Sequence, residues 1–296
     1  MSDPTAVPGT APARSDVAVE RGLDGWGWLV LPGVLFLGLV FFVPVLGMVS
    51  RSVTDPSPAN YLKISGDPLV WRSLVYTLRI AVTVTFICLV IGYAWAYIMN
   101  KAHPTLQIVM AALIMVPFWS SLLVRTYAWT VILRESGIAN QLLTRLGVIS
   151  APLELMGNTL GTLVGMTQIL LPFMVLPLYA AMRQIDAELV PAAESLGANP
   201  AEAFVRVFVP LSLPGVMAGC LLVFVISLGF YITPAILGNM RQPMFSQLIV
   251  MQSQVLFHPG VASALAVSLL VLTLMLIWMG TRVVRIERVL GIGDGG

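Results

Sequence analysis

Apolar stretches long enough to cross a bilayer recur along this chain, at about 26–49, 72–100, 105–133, 155–182, 213–237 and 261–280, and nothing else in it narrows the fold so far. A helix needs about 20 apolar residues to span the hydrocarbon core. Inside lipid every peptide group must find its partner within the protein, which helices achieve segment by segment. The chain therefore reads as an all-α integral membrane protein with about six transmembrane helices. Its composition agrees, with 58% hydrophobic and only 10% charged residues, where soluble domains carry about a quarter charged.

Several function classes drop out at this level. A net charge of +2 is too small to suggest nucleic acid. Cys88 and Cys220 fall within apolar runs and read as small buried hydrophobes, not as a disulfide or metal pair. His103 and His258 are isolated, and no HExxH, GxGxxG or GxxxxGK[ST] pattern occurs. The sequence thus offers no catalytic residue, no metal site and no cofactor of its own. If ATP powers this protein, a partner subunit must bind the nucleotide and its magnesium.

Residues 1–25 are rich in Pro, Ala and Asp without an apolar period, as expected of a disordered tail, and 289–296 form a short C-terminal tail after the transmembrane region 26–288. The third stretch carries Pro117-Phe118-Trp119-Ser120-Ser121 and then Arg125-Thr126-Tyr127-Ala128-Trp129. Proline and paired serines there can break the helix ladder. In the fourth, Gly157, Gly161 and Gly165 recur every four residues, a face suited to close helix packing within the bundle or against a partner. The fifth holds Gly229-Phe230-Tyr231-Ile232-Thr233-Pro234, a broken segment able to line a path. The segment 240–260 reads as external with a partly interfacial helix.

Between the fourth and fifth stretches, residues 183–212 form a polar interruption. Helix formers up to Leu196 are followed by Gly197-Ala198-Asn199-Pro200, a helix stop and restart. Beyond it, Ala203, Phe204, Val207 and Phe208 share one helical face while Glu202 and Arg206 pair on another. Two short helices joined at a glycine bend follow, with Pro210 and Pro214 marking entry into the next span.

The loop resembles the EAA loop of ABC importer permeases: Glu-Ala-Ala, three residues, Gly, and a later apolar residue, any residue and Leu-Pro. Ala192, Ala193, Gly197, Val207 and Val209-Pro210 match, with Val209 in place of leucine, and Pro191 stands where the family has its glutamate. The third stretch is similar to the PFW and LVRTYAW signature of the spermidine/putrescine-type subgroup. The resemblance implies a type I importer in which this chain gates a path without bond chemistry. Its partners would be a second related permease, most simply in a heterodimer, an ATPase dimer and a periplasmic substrate-binding protein, all set in the lipid of a bacterial inner membrane.

The resemblance also assigns roles. Glu188, Pro191, Ala192, Ala193, Glu194, Gly197, Pro200, Phe204 and Pro210 would couple to the ATPase. Pro191 fits a first helical turn, which favours Glu194 over Glu188 as the substitute carboxylate. Trp119, Arg125, Tyr127, Trp129, Phe230 and Tyr231 would line the substrate path. Polyamines are the implied cargo, yet the spans hold Arg79 and Arg125 and no acid, so amino-acid-like or opine-like solutes stay open. A secondary transporter is the rival of another class. Arg14, Arg21, Lys101, Arg183, Arg206, Arg282, Arg285 and Arg288 outweigh Arg51, Lys63, Arg72, Arg134, Arg145 and Arg241, which puts both termini and the loop in the cytoplasm.

Overall fold

A computed structural model describes residues 27–55 and 57–289, with side chains described for 31–55 and 57–282. The expected tails at 1–25 and beyond 289, and the side chains of Arg285 and Arg288, lie outside the described residues. Helices occupy almost all of the rest. They are α1 (Gly27–Thr54), α2 (Ala59–Gly66), α3 (Pro68–Lys101), α4 (Pro104–Met115), α5 (Leu122–Leu133), α6 (Ile138–Arg145), α7 (Thr159–Met182), α8 (Leu189–Ser195), α9 (Pro200–Ala203), α10 (Val209–Leu228), α11 (Ile232–Leu237), α12 (Phe245–Val250) and α13 (Pro259–Val289). Five helical segments are long and apolar enough to cross a membrane, and a sixth is reached if one sharply bent pair counts as a span. The residues up to Gly47 and those from Met48 form separate units; the first contains the apolar N-terminal part of α1, with Pro32 and Pro44 inside that helix.

In the second unit, α3, α7 and α10 form the core. Ile80, Val84 and Cys88 of α3 meet Met166, Leu170, Met174 and Leu178 of α7 and Val223 of α10, all buried. Met174 is the wedge of this trio. A Cβ at Gly92 would lie 2.8 Å from its Cγ and one at Gly219 2.7 Å from its Sδ, so glycine notches on both neighbours accept one flexible side chain. A second cluster joins Ile64 of α2, Phe245 and Leu248 of α12 and Leu265 of α13. The 240–260 segment is therefore not simply interfacial: Phe245 and Leu248 are buried, and the Phe245 N–H donates to Thr77 Oγ1 of α3 at 2.8 Å.

Three spans differ from their sequence outlines. The third is not one helix: α4 continues as a 3-10 turn over Val116–Trp119, and the chain turns through 103° before α5 and α6. Pro117 lacks an N–H, and Ser120 closes the turn by giving both its N–H and its Oγ to the Pro117 carbonyl, at 3.1 and 2.7 Å. The fourth starts at Thr159, where the Asn158 side chain accepts the Gly161 N–H at 3.0 Å. The fifth starts earlier than 213, because Pro200–Leu228 is one helical run with a π turn over Phe204–Phe208. Val209 donates to the Phe204 carbonyl across that widened turn. The i to i−4 ladder is already interrupted where Pro210 has no proton to give, so the proline does not end the helix.

Candidate coupling loop and translocation path

The loop after α7 is held by a complete stop and restart. In α8 the Gly197 N–H donates to the Glu194 carbonyl at 3.0 Å and the Ala198 N–H to the Ala193 carbonyl at 3.1 Å. Gly197 sits at φ +98°. This is a Schellman end, whose left-handed residue is strongly disfavoured for any side chain branched at Cβ. Two residues on, Asn199 Oδ1 accepts the Glu202 N–H at 2.8 Å and Pro200 opens the next helix. The bend at 196–199 is thus fixed by hydrogen bonds internal to the loop.

Each loop residue singled out in the sequence has a definite place. Glu188 is the residue before α8 and makes no side-chain cap bond, and Pro191 is third in the helix, within its first turn. Pro191, Ala192, Glu194 and Gly197 are exposed, Ala193 is half-buried, and Leu196 is 90% exposed. The opposite face of α8 presents Val190 to the core. Phe204 does not join the exposed surface. Its ring lies 5.2 Å from Tyr97 and 6.3 Å from Tyr93, and stacks on Phe208 at 5.7 Å. Tyr93 also bonds Ser212 at 2.9 Å. Tyr97 clamps the loop's second helix to α3, and Pro210 is half-buried farther along the same helical run. The Glu202–Arg206 pair forms at 2.8 Å on the outer side.

Since Pro200–Leu228 is continuous over 29 residues, it extends about 43 Å at about 1.5 Å per residue. That exceeds the hydrocarbon core of about 30 Å. A displacement of the bend at Gly197 is therefore passed to α10 through a helix, not through slack chain.

The path residues fall into two groups. On α5, the Thr126 hydroxyl meets that of Thr233 on α11 at 3.1 Å in a buried contact, and Trp129 Nε1 donates to Gln168 Oε1 of α7 at 3.4 Å. Arg125 is half-buried, and its Nε is buried without a partner among the described residues. Tyr231 opens α11 after the break at Gly229 and is 38% exposed, while the Phe230 carbonyl accepts the Ser246 hydroxyl at 2.7 Å. Trp119 and Tyr127 are exposed and make none of these contacts. Sequence reasoning missed two polar contacts, Thr126 with Thr233 and Trp129 with Gln168. Gln168, an amide inside an apolar span, was the available signal. The glycine stripe of α7 faces α11 of the same chain: a Cβ on Gly165 would lie 2.5 Å from Thr233 Cγ2, and one on Gly161 2.8 Å from the Leu237 carbonyl.

The described helices form an apolar bundle in which a polar loop continues directly into one span. Residues 88–286 match the family described as binding-protein-dependent transport system inner membrane component, and the chain belongs to that family. It is 33% identical to the spermidine/putrescine transport system permease protein PotB of Haemophilus influenzae, over 83% of this chain and 90% of that protein. It is 33% identical to PotB of Escherichia coli K12 over 76% and 82%. To the inner membrane ABC transporter permease protein YdcU of the same organism it is 30% identical, over 71% and 74%. A bacterial alginate ABC transporter chain shares the fold, with a TM-score of 0.71 at 15% identity, over 86% of this chain and 92% of that one.

The chain is accordingly a multi-pass inner-membrane permease subunit of an ABC importer. It works with a substrate-binding protein and an ATPase, and it is not itself an enzyme. Family membership sets aside the secondary-transporter alternative.

Proposed function

We propose that this permease carries polyamines, pairs with a second related permease, and has both termini and the 183–212 loop in the cytoplasm. The observation that carries the cargo is its 33% identity to PotB over 83% of the chain. The loop's first helix docks on an ATPase subunit that holds ATP and magnesium, through Pro191, Ala192, Ala193 and Glu194. Support for that role comes from the exposure of Pro191, Ala192 and Glu194, with Ala193 half-buried between them, beside a bend that Gly197 and Asn199 lock. Closure of the ATPase dimer draws the two permeases' loops together, and the rigid Pro200–Leu228 helix carries the motion to the break at Gly229, opening the path between α5 and α11. Glu194 supplies the carboxylate in place of the family glutamate, since Glu188 lies just outside α8. Glu194→Gln should reduce ATPase stimulation by the loaded binding protein more than Glu188→Gln does; the reverse order would reassign the contact.

One observation favours a second reading. The Thr126–Thr233 and Trp129–Gln168 contacts include no acid, and the Nε of Arg125, without a partner among the described residues, lies on the same helix as Thr126. A solute bearing a carboxylate, as amino-acid-like and opine-like compounds do, would satisfy that donor. Uptake of labelled putrescine and spermidine by cells expressing the full transporter decides between them. ATP-dependent accumulation of either is the expected result. Its absence, with uptake of a labelled amino acid in the same cells, would replace the polyamine reading.

A further inference from the structure

At the end of α3 farthest from the coupling loop, a cavity of about 510 Å³ is lined by Arg72, Arg79 and Arg241, with Trp71, Tyr76 and Gln242 among its other walls. Arg72 and Arg79 lie seven residues, two helical turns, apart on α3, and all three arginines are exposed. No carboxylate lines the cavity, and the ion pair found among the described residues, Arg206–Glu202, lies on the coupling loop. Three cations thus line one space without a carboxylate, an arrangement that wants an oxyanion.

The depth of the cavity says what kind of anion. From Ile80 to Asn100 α3 carries no charge, and these residues, about 21 of them at about 1.5 Å each, cover about 31 Å, the thickness of a hydrocarbon core. Arg79 therefore marks the edge of the lipid tails and Arg72 lies about 10 Å above it, at headgroup level. Trp71 and Tyr76 are the aromatic residues that favour this boundary. Directly below, Val75, Val82 and Phe86 leave an exposed apolar strip on α3, suited to an acyl chain.

We propose that this cavity binds one anionic phospholipid in the leaflet opposite the coupling loop. Its phosphodiester is held by Arg72, Arg79 and Arg241, and an acyl chain runs along Val75, Val82 and Phe86. The bound lipid bridges α3 to the segment preceding α12. The site does not depend on the cargo assigned above.

Native mass spectrometry of the full-length chain, purified with its partner subunits, tests this with phosphatidylglycerol and phosphatidylethanolamine as probes. The parent should retain phosphatidylglycerol in preference to phosphatidylethanolamine, and the triple variant Arg72→Gln/Arg79→Gln/Arg241→Gln should lose at least tenfold of that retention. Arg145→Gln, an exposed arginine elsewhere, should leave it unchanged. Equal retention of the two lipids by the parent, or undiminished retention by the triple variant, would overturn the proposal. Displacement of the lipid by millimolar inorganic phosphate would do the same, by making free phosphate the occupant. Should the triple variant fail to assemble, a photoactivatable phosphatidylglycerol added to the parent must label the 69–79 and 241–243 segments; labelling confined to other segments would refute the site.

Discussion

The coupling loop and the two breaks in the far half of the bundle both interrupt helices, yet by different means. At 196–199 the interruption is held by the loop's own residues: the Gly197 and Ala198 N–H groups close α8 and Asn199 opens α9. Beyond the breaks at Gly229–Tyr231 and Ser121, partners from other segments are added to the local bonds: Thr126 meets Thr233 from 107 residues away and Ser246 reaches the Phe230 carbonyl, while the turn before α5 is closed by Ser120 on Pro117. In the proposed mechanism the loop is a lever, which must keep its shape when pushed, and a bend locked by its own residues suits that role. The gate in that proposal must exchange partners, and contacts between distant segments can be made and lost.

Mutations can break or sharpen that contrast, and the largest effect is expected where loop and bundle meet. Phe208→Ala removes a ring that is 3% exposed and should cost about 3 kcal/mol of stability, seen as a large fall in thermal midpoint in detergent. Gly165→Leu drives a side chain into Thr233 and Leu237 and should cost about 1–3 kcal/mol, lowering the midpoint while leaving the loop's protease resistance intact.

Gly197→Val should do the opposite. Strain at φ +98° is confined to the bend, at about 1–2 kcal/mol, so the protein should insert and keep its midpoint within a few degrees. ATPase activity stimulated by the loaded binding protein should fall at least tenfold. Full stimulation in this variant would remove the lever role. Thr126→Val deletes one buried hydroxyl contact and should cost about 1 kcal/mol, with a change in transport rate exceeding the change in stability. Smallest of all, Arg206→Ala removes a solvent-exposed pair worth about 0–1 kcal/mol, and a thermal scan should barely register it.

Much of the loop was legible because its signals are local. Glycine, asparagine and proline at 197, 199 and 200 have one favourable backbone arrangement in that order, and the Glu202–Arg206 pair follows from helical spacing alone. The inward turn of Phe204 was legible in the helical face it shares with Ala203, Val207 and Phe208, whereas the aromatic clamp of Tyr93 and Tyr97 that receives it was not. Arg125 and Trp129 were visible as rare residue types, whereas Thr126 and Thr233 look like ordinary span threonines until α5 and α11 bring them to 3.1 Å.

The same division runs through the whole molecule. Lipid demands that each crossing segment satisfy its own peptide groups, so the number and approximate place of the spans, and the interruption between the fourth and fifth, are written in residue order. Which faces meet is another matter. These helices are apolar almost all round, so no contrast between oily and polar sides orients them. Small residues select partners only once the helices lie side by side. Tertiary structure alone decided that the glycines of α7 receive α11, that Met174 fills notches on two neighbours, that the third span turns through 103°, and that one helix runs unbroken from the loop into the membrane.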